Sequence, residues 1–271
     1  MKKKISSHIP TPHKKKNIDN AVRVNFHIIS LFPHSLESYV QESIIARAQK
    51  EKKISISYYN PRDVVKPTKT QANNEKPYLR VDDKPYGGGP GMVIQAVPVL
   101  KAIDKALSKA TGLPLSSSIK EKLSGLRTRD SKIKKKGFKK VSLVFLSPAG
   151  TQFNTEQATE FAETYSDIII VCGRYEGIDA RIKEVFPMIE ISVGPFVTTG
   201  GELPAMILID VISRQVPGVL GNFSSREESR ISSSDVYTRP ESFEYKGKTY
   251  SVPPILLSGN HKSIEDWKKE A

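Results

Sequence analysis

The stretch SDIIIVCGRYEGID, residues 166–179, joins a run of aliphatic residues to a loop of glycine, aromatic and charged residues. Such a run is typical of a buried parallel strand, and the loop follows at its carboxyl end. Two other segments have the same form, since FLSPAG ends the apolar run 141–146 and VGPFVTTGGELPAM follows the run 188–193. Open α/β sheets hold ligands at the carboxyl ends of their strands, so we expect the three loops to line one pocket.

Strand and helix patterns alternate through the rest of the chain. We predict strands at 24–31, 54–59, 141–146, 166–172 and 188–193, and helices near 36–48, 93–109, 178–186 and 203–216, with a further helix beginning at Asn154. Capping-box spacing marks two of the helix starts, Asn154 with Gln157 and Thr199 with Glu202. The first helix is predicted to place Leu36, Tyr39, Val40, Ile44 and Ala48 on one face. This alternation predicts an α/β fold, with a mostly parallel sheet covered by helices on both faces.

The net charge of +13 is concentrated in two segments. Residues 1–20 carry six lysines against Asp19, and residues 110–140 carry ten basic residues against Glu121 and Asp130. Both segments are rich in Lys and Ser, which predicts disorder and a polyanionic partner such as RNA. A solubilising tail and a lineage-specific insertion are the alternative interpretations.

Cysteine content and hydropathy indicate the cellular compartment of the protein. Cys172 is the single cysteine and has no internal disulfide partner, and no secretion signal begins the sequence. The longest aliphatic runs fall well short of the ~20 residues of a membrane helix. We therefore expect a cytoplasmic protein that does not span a membrane.

The glycine-rich stretch KPYGGGPGMVIQ, residues 84–95, does not match the common nucleotide-binding motifs. A phosphate-binding loop that starts at Gly87 requires Gly and Lys where this chain has Met92 and Val93, and a dinucleotide fingerprint that starts there requires Gly in place of Met92. The pocket therefore belongs to another α/β class.

Eight segments together resemble the bacterial tRNA (guanine-N1)-methyltransferase family. In chain order they are IISLFP (28–33), VDDKPYGGGPGM (81–92), LSPAG (146–150), VCGRYEGIDAR (171–181), TGGELPAM (199–206), PGVLG (217–221), YTRPE (237–241) and VPPILLSGNH (252–261). The resemblance implies a homodimeric SPOUT-class enzyme with a deep trefoil knot, which methylates N1 of the guanosine 3′ of the anticodon in tRNA. S-adenosylmethionine is the implied methyl donor, and Mg²⁺ is an implied further requirement, although no residue is assigned as a metal ligand.

The matched motifs assign residues to the site. The implied cofactor-binding residues are Phe145, Leu146, Ser147, Pro148, Gly173, Tyr175, Glu176, Gly177, Val193, Gly194, Pro195, Phe196, Val197, Thr198, Gly200 and Gly201. Asp83 and Tyr86 are candidate substrate-binding residues, because the glycines that follow let the backbone approach a nucleotide or a second subunit and Tyr86 could stack on a base. A tight structural loop is the alternative for this segment.

Methylation at N1 of guanine requires a base and a cation that stabilises charge on O6. The resemblance assigns the cation to Arg214, which could alternatively be a helix-end cation that stabilises the helix dipole. Where the family has an aspartate this chain has Glu228, with Glu227 and Asp235 as other candidates and a solvated acidic linker as the alternative. The family's Asp-Tyr in the third loop is here Pro195-Phe196.

We expect four regions: a basic disordered tail (1–23), the methyltransferase domain (24–215, with the insertion 110–140), a flexible linker (216–235) and a truncated tRNA-binding segment (236–271). The two basic segments would replace part of the RNA affinity of a longer C-terminal domain. Two alternatives to an active tRNA guanine-N1 methyltransferase stay open. One is a weakly active protein that binds S-adenosylmethionine or RNA, and the other is a SPOUT methyltransferase that acts on another RNA site.

Overall fold

Five parallel strands form the central sheet of the computed structural model, which describes residues 23–67, 79–114, 140–220 and 235–270. The sheet strands are β1 (Val24–Ile29), β2 (Ile54–Tyr59), β5 (Val141–Gln152), β6 (Asp167–Val171) and β7 (Ile189–Ser192). Their order across the sheet is β2-β1-β6-β5-β7. All four neighbouring pairs run parallel, which confirms the predicted parallel sheet.

Helices cover both faces of this sheet. In the part of the chain that contains the sheet they are α1 (His34–Val40), α2 (Ser43–Lys50), α3 (Ala96–Thr111), α4 (Thr155–Thr164), α5 (Ile182–Val185) and α6 (Glu202–Gln215), with a 3₁₀ turn at Pro61–Val64. Successive residues of β6 point to opposite faces, so Ile168 and Ile170 join one hydrophobic cluster while Ile169 and Val171 join the other. The two-sided covering predicted from the sequence is therefore confirmed.

The first predicted helix is two helices in the structure. The chain turns at Gln41 and Glu42, and Ser43 begins α2 with a φ of 51°. This turn changes the buried face, because Ile45 is buried, while Tyr39 and Ile44, which were predicted to share a face with Leu36 and Val40, are 46% and 38% exposed. The prediction of one continuous helix was wrong because regular spacing does not reveal a turn between two short helices.

Among the other boundaries that differ from the predictions are the end of β5 and the start of α3. Strand β5 continues to Gln152 instead of ending at residue 146. Leu146 and Thr151 both lie opposite Ile191, so the FLSPAG segment contains a bulge within the strand. At the second boundary, α3 begins at Ala96, after a short hairpin formed by β3 (Asp82–Asp83) and β4 (Val93–Ile94).

A buried polar network crosses three strands of the sheet. His27 Nε2 lies 3.0 Å from Asp167 Oδ1, and His27 Nδ1 lies 3.0 Å from the Tyr59 hydroxyl. His27 and Asp167 are each 2% exposed. The imidazole therefore links the central strands β1 and β6 to the edge strand β2, and each of its ring nitrogens has a partner.

The described residues divide into two compact units between Val219 and Leu220. The second unit contains a hairpin of β8 (Ser242–Tyr245) and β9 (Lys248–Ser251), followed by α7 (Pro254–Leu257) and α8 (His261–Glu270). Its aromatic contacts include Phe243 stacked on Tyr250, with ring centroids 5.5 Å apart.

The predictions of a disordered tail at 1–23 and of a basic insertion at 110–140 fall almost wholly outside the described residues, as does most of the predicted linker. Within the ranges given above, no helix combines the length and apolar character that crossing a membrane requires.

Candidate functional site

Three segments at one edge of the sheet, the bulge within β5 and the loops that follow β6 and β7, line one cavity of about 430 Å³. The predicted cofactor-binding residues that line it are Phe145, Leu146, Ser147, Pro148, Gly173, Tyr175, Glu176, Gly177, Val193, Phe196, Val197, Thr198, Gly200 and Gly201. The structure thus brings the three predicted loops together around one space. Their role in binding a cofactor stays a prediction.

Gly194 and Pro195 belong to the third loop but do not line the cavity. The Ser192 hydroxyl donates a hydrogen bond to the Gly194 carbonyl, at 2.9 Å, and closes a tight turn there. Pro195 is exposed at this turn. The local turn therefore keeps both residues out of the cavity wall, while Val193 and Phe196 on either side reach it.

Gly201 and Gly173 mark the closest approach of two of these loops. The Gly201 N–H donates to the Gly173 carbonyl at 2.8 Å, and Arg174 pairs with Gly200 in an isolated antiparallel bridge. A Cβ atom on Gly201 would lie 2.6 Å from Cys172 Cα. The contact between the two backbones therefore requires glycine at position 201. The backbone conformation does not require it, since a φ of −78° is accessible to any residue.

The glycine-rich segment packs directly behind the second cavity loop. The Glu176 N–H donates to the Met92 carbonyl, and the Ile94 N–H donates to the Gly177 carbonyl, both at 3.0 Å. A Cβ atom on Gly91 would lie 2.6 Å from Glu176 Oε1. The segment thus supports the loop that contains Glu176, as the structural interpretation of its glycines predicts.

The two candidate substrate-binding residues lie outside the cavity. Tyr86 is fully exposed, and Asp83 is an exposed residue of β3 whose carboxylate accepts a hydrogen bond from the Lys84 N–H. Neither residue lines the cavity wall. Their contact with a substrate stays a prediction.

A buried carboxylate fixes an arginine at the cavity. Arg174 Nε donates to Glu202 Oε2 at 2.8 Å, and the Ser30 hydroxyl donates to Glu202 Oε1 at 2.6 Å. Glu202 is 2% exposed, and the guanidinium carbon of Arg174 lies 4.8 Å from the centre of the Phe32 ring. Arg174 also donates to the Thr199 carbonyl, so one side chain ties the second cavity loop to the third loop and to the end of β1.

The predicted capping box at Thr199 and Glu202 was wrong. Helix α6 has Gly201 at its N-cap and no side-chain cap. The Glu202 carboxylate instead accepts hydrogen bonds from the Arg174 guanidinium and the Ser30 hydroxyl. These two donors compensate the burial of the carboxylate better than one backbone N–H does. The other predicted capping box, Asn154 with Gln157, is confirmed in both directions.

Two basic cavity residues were missed in the sequence interpretation, Arg174 and Lys183. Lys183 Nζ lies 2.8 Å from Glu190 Oε1 and 4.7 Å from the centre of the Phe145 ring. Arg174 stands inside the CGRYEGID loop that the sequence analysis selected, so its position was a usable signal. Lys183 carried none, because surface lysines are common on short helices.

Arg214, the proposed catalytic arginine, does not line the cavity. Arg214 lies in the last turn of α6, twelve residues after Glu202. That spacing corresponds to about 18 Å along a helix axis. Glu228 and Glu227 lie outside the described residues, and Asp235 is exposed in the second unit. Among the described residues, no group of three or more His, Cys, Asp or Glu side chains could hold a metal ion.

Comparisons with known proteins agree with this architecture. The model of the family described as "tRNA (Guanine-1)-methyltransferase TrmD" matches residues 24–271. A tRNA (guanine-N(1)-)-methyltransferase of Clostridioides difficile (strain 630) is 38% identical over 251 residues, which cover 91% of each chain. A protein of the same name from Dechloromonas aromatica (strain RCB) is 37% identical over 249 residues, which cover 90% of this chain and 84% of the relative.

The fold also matches a solved structure. The tRNA (m1G37) methyltransferase from Aquifex aeolicus superposes with a TM-score of 0.63 at 31% identity, over 92% of this chain and 88% of the other. This likeness confirms the predicted SPOUT-type α/β fold, while the trefoil knot stays a prediction. The match of the family model over nearly the whole chain agrees with both relatives and with the fold. The chain therefore belongs to the tRNA (guanine-1)-methyltransferase family.

Proposed function

We propose that this protein transfers a methyl group from S-adenosylmethionine to N1 of the guanosine immediately 3′ of the anticodon in tRNA. The observation that carries the proposal is the convergence of three family motifs on one cavity, which is lined by the bulge of β5 and by the loops after β6 and β7. Family membership supports the guanine-N1 reaction. No observation favours a different RNA site or an inactive binding protein.

The cavity suits the methyl donor in size and chemistry. Its volume of about 430 Å³ lies within the range of small-molecule sites. Its wall combines apolar side chains with glycine backbone, which suits the flat adenine and the ribose of the donor, and Glu176 supplies one carboxylate toward a cationic ligand. When bound, the donor would supply an electrophilic methyl group on a sulfonium.

The protein's own contribution to the chemistry is to move a proton and to stabilise charge. Removal of the N1 proton leaves negative charge on guanine O6, which a guanidinium stabilises. We assign this role to Arg214 and the role of general base to Glu228, with Glu227 and Asp235 as the other candidates. A misplacement of about 1 Å can cost about 100-fold in rate, so the longer Glu in place of the family's Asp needs a direct test.

We further propose that the protein acts as a homodimer. Arg214 lies about 18 Å along α6 from the cavity end of that helix, so a second protomer is a simple way to bring the residue to a cavity. Apolar side chains near the cavity support such a contact, because Phe196, Val197 and Leu203 are 55%, 81% and 54% exposed. Clusters of exposed large apolar residues mark interaction surfaces.

Mass spectrometry of tRNA nucleosides tests the proposal. Incubation of the protein, isotopically labelled S-adenosylmethionine and a tRNA with guanosine 3′ of its anticodon should yield labelled 1-methylguanosine. The matched control is the same tRNA with adenosine at that position, which should stay unlabelled. Label in another nucleoside would identify a different RNA site, and no label with cofactor bound would support the binding protein.

Variants test the two assigned residues. Arg214→Lys should lower kcat by about 100-fold or more, because a lysine cannot reproduce a bidentate guanidinium contact. Glu228→Gln should lower kcat and remove the acidic limb of its pH profile, whereas Glu227→Gln should do neither. If Glu227→Gln or Asp235→Asn has the large effect instead, the base is assigned to that residue. Sedimentation of the wild-type protein tests the dimer.

We also propose that the basic segment within 110–140 binds tRNA. Residues 115–139 lie between the end of α3 and the start of β5, so their deletion removes no residue of either element. The deletion should weaken tRNA binding and flatten its dependence on salt, since fewer counterions are released. Unchanged binding would contradict this role. The Mg²⁺ requirement and the cytoplasmic location stay predictions.

A further inference from the structure

Lys183 and Arg174 are the Lys and Arg residues among the described residues that line the cavity. Arg174 is held by the buried Glu202 carboxylate, so its charge is already compensated within the protein. Lys183 is paired only at the surface, where both it and Glu190 have side chains that are 37% exposed. Lys183 can therefore interact with a bound ligand more readily than Arg174 can.

The Lys183 side chain is positioned for a ligand contact. Its ammonium lies 4.7 Å from the centre of the Phe145 ring, which also lines the cavity. An ammonium has three N–H donors, and Glu190 accepts from one of them. An exposed ion pair is worth only about 0.2–1 kcal/mol, so Glu190 is a weak competitor for a ligand anion. The aromatic contact keeps the ammonium at the cavity wall while Glu190 stays outside it.

We propose that Lys183 binds the α-carboxylate of S-adenosylmethionine. This inference rests on the proposed function, because it assigns one contact to the proposed methyl donor. The donor carries a single carboxylate beside two cationic groups, the sulfonium and the ammonium. Of the charged residues that line the cavity, Glu176 suits the cations and Lys183 suits the carboxylate. Lys183 is thus a specificity residue for donors that retain the amino-acid portion.

Calorimetry with two ligands isolates this contact. S-adenosylhomocysteine retains the carboxylate, whereas 5′-methylthioadenosine has the same nucleoside and a thioether but no amino-acid portion. Lys183→Met should raise the Kd for S-adenosylhomocysteine by about 10–100-fold, the effect of a lost charged hydrogen bond. The Kd for 5′-methylthioadenosine should change less than about twofold. The control Lys101→Met, at an exposed position of α3, should change neither.

A second variant separates ligand binding from a structural role of the ion pair. Glu190→Gln removes the competitor of Lys183, so it should leave the binding of S-adenosylhomocysteine unchanged or make it tighter. If Glu190→Gln weakens binding as much as Lys183→Met does, the pair shapes the wall and the proposal fails. The proposal also fails if Lys183→Met weakens both ligands equally, or neither.

Two further outcomes have distinct meanings. If Lys183→Met leaves S-adenosylhomocysteine binding intact but weakens tRNA binding and its salt dependence, the ammonium contacts a phosphate and the proposal fails. If the wild-type protein binds neither small molecule, the methyl donor itself was wrongly assigned. The ligand pair therefore distinguishes an error in this inference from an error in the proposed function.

Discussion

Replacement of Gly201 by alanine tests the contact between the cavity loops. The new Cβ atom would lie 2.6 Å from Cys172 Cα and 2.9 Å from the Gly173 nitrogen, so the two backbones must separate. Overpacking of this kind costs about 1–3 kcal/mol. Weakening of the hydrogen bond from the Gly201 N–H to the Gly173 carbonyl adds about 1 kcal/mol. Gly201→Ala should therefore lower the free energy of unfolding by about 2–4 kcal/mol.

Gly173→Ala is the matched control, because Gly173 contributes the other half of the same hydrogen bond. A Cβ atom at Gly173 would meet only Ile178 Cγ1, at the ordinary contact distance of 3.8 Å. This substitution should be neutral or stabilise by up to about 1 kcal/mol.

Thermal unfolding followed by circular dichroism measures both variants. Gly201→Ala should lower Tm by about 5–15 °C, as expected for a domain of this size. The variant should also bind S-adenosylhomocysteine more weakly in calorimetry. Equal melting temperatures for Gly201→Ala and Gly173→Ala would refute the close approach of the two loops.

The remaining predictions concern buried polar groups. Glu202→Ala should lower the free energy of unfolding by about 3 kcal/mol in chemical denaturation, because it leaves the largely buried Arg174 guanidinium without its carboxylate partner. Glu202→Gln should lower it less, since the amide oxygen can still accept a hydrogen bond from Arg174. A loss from Glu202→Ala below about 1 kcal/mol would contradict this role. Tyr59→Phe should lower the free energy of unfolding by about 1 kcal/mol, because the Tyr59 hydroxyl lies 3.0 Å from His27 Nδ1. Tyr58→Phe should be neutral or stabilising, because the buried Tyr58 hydroxyl has no hydrogen-bond partner among the described residues. Equal losses in the two variants would contradict the assignment. Burial raises the pKa of Tyr58 and of Tyr59 to about 12, so the folded state keeps protons that the unfolded state loses above pH 10. The free energy of unfolding should therefore fall as pH rises from about 10 to 12, more weakly in either Phe variant. A phenolate absorbance near pH 10 that is lower in a folded Phe variant than in the folded wild-type protein would refute the shift of the replaced tyrosine.

The sequence predicted the sheet well because its strands are buried on both faces. A strand such as β6, with aliphatic residues at every position from Ile168 to Val171, has a pattern that few other structures share. The convergence of three loops followed from the same argument, since parallel strands place their carboxyl ends at one edge. The sheet and the cavity walls were thus predictable from local patterns.

Contacts between residues distant in sequence were not predictable. The motif at Thr199 and Glu202 satisfies the spacing of a capping box, yet Glu202 pairs with Arg174 and with Ser30, 172 residues away. The turn before Ser43 interrupts a spacing that fits one continuous helix. A tertiary contact determined the outcome at Glu202 and a local turn determined it at Ser43, and single-sequence patterns reveal neither.

The single cysteine of the chain lies directly behind the contact between Gly201 and Gly173. Cys172 is 3% exposed, and burial, with the nearby Glu202 carboxylate, raises the pKa of its thiol well above the usual value. A thiol reagent can therefore reach Cys172 only when the loops separate, so the labelling rate reports how often that separation occurs. The wild-type protein thus carries an intrinsic chemical probe of cavity opening, and a ligand that holds the loops together should slow its modification.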